Sequence, residues 1–199
     1  MQLFHSECPL IWGELDLPLL GISSDWFGNK ISPPVGFSLA ADPVNLWFVT
    51  TRQSHASLHP DSISGEFRER LWDYDVAELF IADPQTGEYI EFNLAANVAW
   101  WAAKFSSPRM ASVQQPHFEK AIESFHDSDP ESWLAAICVP LDFLVRHISF
   151  GHQSTANVTF ILHSPRQTFQ SAHKLSPPTP DFHLPNEFPK LIHSKLPAN

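Results

Sequence analysis

The sequence predicts an all-β domain, a sandwich or a barrel, and three observations carry that prediction. Strand-like runs recur from residue 36 to residue 163, separated by turn signals. The chain has 18 Pro and only 7 Gly, so it turns corners with a residue that suits short strands and loops better than long helices. Its 199 residues are 43% hydrophobic, enough for a sizeable core, and the expected unit is one domain over residues 1–199.

The elements follow in order. GFSLAA (36–41) and NLWFVTTR (45–52) read as neighbouring strands joined by the turn-forming DPV. YDVAELFIA (74–82) and GEYIEFNLA (87–95) flank DPQTG, a hairpin loop with a proline corner and a glycine exit. AWWAAKF (99–105), SWLAAICV (132–139) and NVTFILH (157–163) complete the strands. One short helix is expected over PLDFLVRH (140–147), with Pro140 at its start and apolar positions three or four apart. From 164 onward the chain is rich in Pro, Ser and His and reads as an extended segment draped over the domain.

Composition narrows the function. The formal net charge is −10, with no basic run, which argues against nucleic acid and against anionic membranes as partners. No apolar run is long enough to span a bilayer. MQLFHSECPLIW lacks the basic start, apolar centre and cleavage site of a secretory leader. With two distant cysteines, Cys8 and Cys138, the expectation is a cytoplasmic protein with reduced thiols, or a secreted one if the chain is a trimmed mature form.

The stretch 87–105 holds the candidate site. Ile90, Phe92 and Leu94 alternate with Tyr89, Glu91 and Asn93, so Glu91 and Asn93 share one side of their strand. Cross-strand pairing brings Glu78 close to them. Carboxylates and amides fix the directions of sugar hydroxyls, which both donate and accept, and the C–H faces of sugars pack on flat rings. Trp72, Trp100 and Trp101 are the candidate rings. Trp100 and Trp101 must point to opposite faces of a strand, and counting by two from Glu91 and Asn93 selects Trp101 as the outward one. Trp133 shares parity with Ile137 and Val139 and belongs to the core. The competing reading of the polar stripe is an ordinary solvated sheet face, on an interaction domain with no concave pocket.

Residues 71 to 110, LWDYDVAELFIADPQTGEYIEFNLAANVAWWAAKFSSPRM, resemble the central hairpin of the DOMON-like, carbohydrate-binding module family 9-like superfamily. The matching features are Trp72 with Asp73 and Asp75, Glu78 with Phe80, Tyr89 with Glu91, and Trp100 or Trp101. SWLAAICVPLDFL (132–144) and PDFHLPNEFPKL (180–191) resemble later segments of the same domains, in the same order. The resemblance implies a two-sheet antiparallel β-sandwich of immunoglobulin-like or jelly-roll type. It also implies a non-catalytic module that binds a carbohydrate or another small polar ligand through Trp72, Glu78, Glu91, Asn93, Trp101 and Arg109. In family 9 modules two tryptophans clamp the sugar. Here Trp72 and one of the 100/101 pair are available, the chain has no Trp after Trp133, and Phe169 is the substitute ring. Arg109 resembles an Arg that follows the aromatic strand and can pair with a carboxylate or a ligand oxygen. Arg52 has the same two readings.

Alternatives stay open. Some DOMON relatives bind b-type haem through Met and His, for which Met110 is the internal methionine. A glycosidase would use Glu78 and Glu91. Calcium would find oxygen ligands in DSDPE (127–131) or DYD (73–75). The five late histidines (152, 163, 173, 183 and 193) match no zinc signature. No resident cofactor is expected. Asp181 and His183, two apart on an extended segment and so facing the same way, have two readings, reaching the site or tying the tail to the sandwich, of which the second is favoured.

Overall fold

The computed structural model describes residues 1–196. The last three residues of the expected 1–199 unit lie outside the described residues. In chain order the strands are β1 (Gln2–His5), β2 (Leu20–Ser24), β3 (Lys30–Ala41), β4 (Asn45–Arg52), β5 (Val76–Ala82), β6 (Tyr89–Ala95) and β7 (Trp100–Ser107). There follow β8 (Met110–Ala111), β9 (Glu123–His126), β10 (Trp133–Pro140), the helix α1 (Leu141–Ile148), β11 (Thr155–Leu162), β12 (Thr168–Ser171) and β13 (Ile192–Lys195). Every strand and the helix expected from the sequence are present. The additions are short strands, whose side chains give no clear alternation.

Two sheets face each other. One has the order β13-β1-β3-β4-β10-β9, with β2 beside the first half of β3. The other has the order β12-β11-β5-β6-β7-β8 and is antiparallel throughout. The first sheet departs from the antiparallel expectation at one place: β1 runs parallel to both β13 and β3. The inner faces meet in one apolar core that includes Leu39, Phe48, Leu79, Ile81, Phe92, Leu94, Ile137 and Phe160. Trp133 is 2% exposed within it.

Turn chemistry fixes the hairpins. In the DPV turn the Asp42 carboxylate accepts from the amides of Val44 and Asn45, both at 2.7 Å, and from Trp47 Nε1 at 3.0 Å. In DPQTG, Asp83 accepts from the Gln85 amide at 2.9 Å, and Gly87 adopts φ 76°, which favours glycine. The two sheets are also joined electrostatically. Arg52, at the end of β4, lies 4.0 Å from Asp75, just before β5, and both side chains are buried. Asp75 further accepts from the amides of Ser57 and His163. This assigns Arg52 the structural one of its two readings. Cys8 is exposed, Cys138 is buried, and the two are unpaired.

The outer face of β5, β6 and β7, solvated on the competing reading of the polar stripe, is covered. Val76, Phe80, Tyr89, Phe105 and Ile161 on that face pack with Leu175, Phe182 and Phe188 from the chain after β12, forming a second apolar cluster. Full burial of each such side chain contributes on the order of 1.5–3 kcal/mol, which holds a proline-rich segment with few backbone hydrogen bonds in place. Trp26, in the loop between β2 and β3, supports it from the side. Its Nε1 donates to the Pro177 carbonyl at 3.1 Å, and its ring lies 5.7 Å from that of Phe182.

Candidate ligand-binding site

Strand register builds the site. Thr159, Glu78, Asn93 and Trp101 stand in one row across β11, β5, β6 and β7. The adjacent row on the same face holds Asn157, Phe80, Glu91 and Ala103. Glu78 and Glu91 are therefore diagonal neighbours, near enough for their carboxyl groups to interact. Trp101 shares their face because the hairpin between β6 and β7 preserves the count by two. Trp100 turns inward, 5% exposed, and its Nε1 donates to the Gly65 carbonyl at 3.0 Å.

Above these rows lies a cavity of about 420 Å³, within the roughly 300–1,000 Å³ usual for small-molecule sites. Its sheet wall consists of Glu78, Phe80, Glu91, Trp101 and Phe105, with Ile161 and Phe169 to one side. Trp72 enters from the 3-10 turn Leu71–Asp73, and Arg109 from the turn between β7 and β8. The tail closes the rim with Pro180, Asp181, Phe182 and His183. Five of the six site residues expected from the sequence line this cavity. Asn93 does not: it is fully buried beside the lining, and both its amide atoms lack a hydrogen-bond partner.

Asp181 and His183 do more than tie down the tail, since both also line the cavity. Phe80, Phe105 and Phe182 were not anticipated. Phe80 shares parity with Glu78, Phe105 shares parity with Trp101, and Phe182 sits between two residues already singled out, so the signal was present for all three. The two-tryptophan clamp is a genuine difference. Trp72 and Trp101 meet edge to face, centroids 5.3 Å apart and planes at 82°. They form a corner of the cavity, with no room for a sugar between them.

The polar groups are linked. The Arg109 guanidinium donates to Asp181 at 2.8 Å. The Arg109 amide donates to the Tyr89 hydroxyl at 3.1 Å, a geometry held by φ 61° at Arg109. The Tyr89 oxygen lies 2.7 Å from His183 Nδ1. Burial pushes the Tyr89 hydroxyl up to about 12, so it keeps its proton. Burial, then the nearby Arg109 charge, push His183 down to about 4 against the pull of Asp181, so its ring is neutral at pH 7. Because the Tyr89 oxygen already accepts from the Arg109 amide, its proton is assigned to His183 Nδ1, which places the ring proton on Nε2. Nε2 stands 3.8 Å from Glu91 Oε2, and with a neutral ring this is a polar approach without an ion pair.

Both carboxyl groups are held above the ordinary range. For Glu91 the causes are burial and the charge of Glu78, opposed by Asn93 and Arg109. For Glu78 the cause is burial, opposed by the Thr159 hydroxyl, which donates to Oε2 at 2.7 Å. The Asn93 amide lies near enough to favour the Glu91 anion, yet its geometry makes no hydrogen bond. Glu91 is 4% exposed and its Oε2 has no partner. The site thus combines unmet acceptor capacity with aromatic walls.

Other candidate groups lie elsewhere. Met110 is exposed on β8, outside the lining. Asp73 pairs with Arg70 at 2.7 Å, and Asp75 is engaged with Arg52. Of the late histidines, His152 and His193 pack together with His5, outside the cavity lining. Among the described residues, no group of three or more His, Cys, Asp or Glu is placed to hold a metal ion.

No protein-family model matches the chain, and no match is found among curated proteins. Solved structures do share its fold. One is a protein from Bacteroides uniformis proposed to bind carbohydrate, 16% identical, with 98% of each chain covered and a TM-score of 0.68. Another is a carbohydrate-binding module of family 9 from Caldicellulosiruptor kristjanssonii in complex with glucose, 11% identical, covering 99% of this chain and 98% of that one, TM-score 0.60. A family 9 module from the same organism in complex with cellotriose is 9% identical, with both chains fully covered and a TM-score of 0.64. At these identities the likeness establishes the β-sandwich fold alone.

Proposed function

We propose that this chain is a non-catalytic carbohydrate-binding module whose ligand occupies the cavity between the β5–β6–β7 face and the tail. One observation carries the reading. Buried polar groups with unmet hydrogen-bonding capacity, Glu91 Oε2 above all, stand beside the aromatic surfaces of Trp72 and Trp101 in a cavity of small-molecule size. A sugar answers both features, with hydroxyls for the carboxyl groups and a C–H face for a ring. The solved structures of the same fold support it, since two of them hold glucose and cellotriose. The binding mode is one-sided: the sugar stacks on the Trp101 side of the aromatic corner, and Phe169 and Phe182 complete the apolar wall.

Intrinsic tryptophan fluorescence, titrated with mono- and oligosaccharides including glucose and cellotriose, tests the proposal. A saturable change for one sugar class, abolished in Trp101→Ala while that variant still melts cooperatively, is the expected result. Absence of a response across the panel, with the parent protein folded, overturns it.

A further inference from the structure

The charges around the cavity do not balance. Three carboxyl groups face it: Glu78 from β5, Glu91 from β6 and Asp181 from the tail. One guanidinium, Arg109, faces it from the β7–β8 turn, and that group is already paired with Asp181. Tyr89 keeps its proton and His183 is neutral at pH 7. Among the described residues, β11 contributes a hydroxyl, Thr159, and no charge to this cluster. The Glu78–Glu91 pair thus lacks a cationic partner. A buried acid pair in a structural network is normally neutralised by Arg or Lys, because an uncompensated buried charge is costly.

Geometry points the same way. Glu91 Oε2 is unpartnered in a side chain 5% exposed that lines the cavity. Trp72 and Trp101, perpendicular and in contact, present two walls of a corner, and Phe80 and Phe105 extend it. Perpendicular aromatic faces beside buried carboxyl groups favour a cation, through the ring quadrupoles as well as the acids. A neutral hydroxyl can meet one oxygen but supplies no charge to favour the ionised form of either acid. An ammonium brings three donors and the missing positive charge.

We infer that the cavity selects a sugar bearing a free primary amine, its ammonium docked against Glu78 and Glu91 inside the aromatic corner. The inference rests on the carbohydrate reading above and specifies its ligand class. It has a thermodynamic signature. A bound cation favours the ionised carboxyl groups, so binding releases protons that the free site holds.

Isothermal titration at neutral pH with glucosamine, glucose and N-acetylglucosamine, each in two buffers of different ionisation enthalpy, tests it. Glucosamine is expected to bind about tenfold or more tighter than glucose, the scale of one hydrogen bond to a charged group. N-acetylglucosamine is expected to bind no tighter than glucose, and only glucosamine should show proton release. Glu91→Gln should shrink the glucosamine-to-glucose ratio several-fold, and Glu78→Gln serves if that variant does not fold. Equal or tighter binding of glucose or N-acetylglucosamine overturns the inference and leaves the carbohydrate reading standing. Silence from all three sugars and from cellotriose overturns both.

Discussion

Tyr89→Phe isolates one hydroxyl on which the tail depends. Tyr89 is fully buried on β6, and its ring stacks on Phe105 at 4.7 Å with planes 4° apart, packing that phenylalanine keeps. The hydroxyl donates to His183 Nδ1 at 2.7 Å and accepts from the Arg109 amide at 3.1 Å. Each bond contributes about 1 kcal/mol net, and leaving either partner unsatisfied in a partly buried place adds on the order of 1 kcal/mol. The loss should total about 3 kcal/mol, or roughly 6–12 °C in Tm for a domain of this size. Urea unfolding followed by circular dichroism and by tryptophan fluorescence measures it, with an unchanged m-value showing that the native state stays compact. Hydrogen exchange across 176–190 should accelerate, because that segment makes few backbone hydrogen bonds of its own. A change below about 0.5 kcal/mol with unaltered exchange would refute the view that this hydroxyl ties tail to sheet.

Three further predictions follow from buried charge. Glu91 binds its proton more tightly folded than unfolded, so between its ordinary value and its raised one the native state holds more protons and stability falls as pH rises, by up to about 1.4 kcal/mol per pH unit. Glu91→Gln should flatten that decline in pH-resolved denaturant melts. His183 has the opposite sign: pushed down to about 4, it withdraws stability as pH falls from about 6.5 toward that value, so His183→Gln should be the variant that gains on the parent under acid conditions. Asp75→Asn should cost about 3–5 kcal/mol, because it strands the buried Arg52 charge. A loss under 1 kcal/mol in a melt would show that the intersheet pair is not what holds β4 to the start of β5.

The architecture was legible in local sequence. Alternation in YIEFNL, the DPV and DPQTG turns, and the spacing in PLDFLVRH each describe interactions between residues close along the chain, and all appear where expected. The opposite facing of Trp100 and Trp101 followed from the two-residue strand period alone. What local pattern could not supply was the layer on the far side. A polar residue at every second position looks the same whether water or another segment covers it, and the tail that covers Glu78 and Glu91 is about a hundred residues away in the chain. Its own strands, β12 and β13, are short edge strands defined by their partners.

The sequence by itself determined which side chains share a face, because the strand period is geometric and independent of what lies above it. Only the tertiary structure decided that this face is dry and that Asp181 and His183 close over it. It alone set Trp72 and Trp101 edge to face as a corner instead of a clamp. The reason is physical: burial, charge compensation and ring geometry belong to groups brought together across long stretches of chain, and no periodicity encodes them.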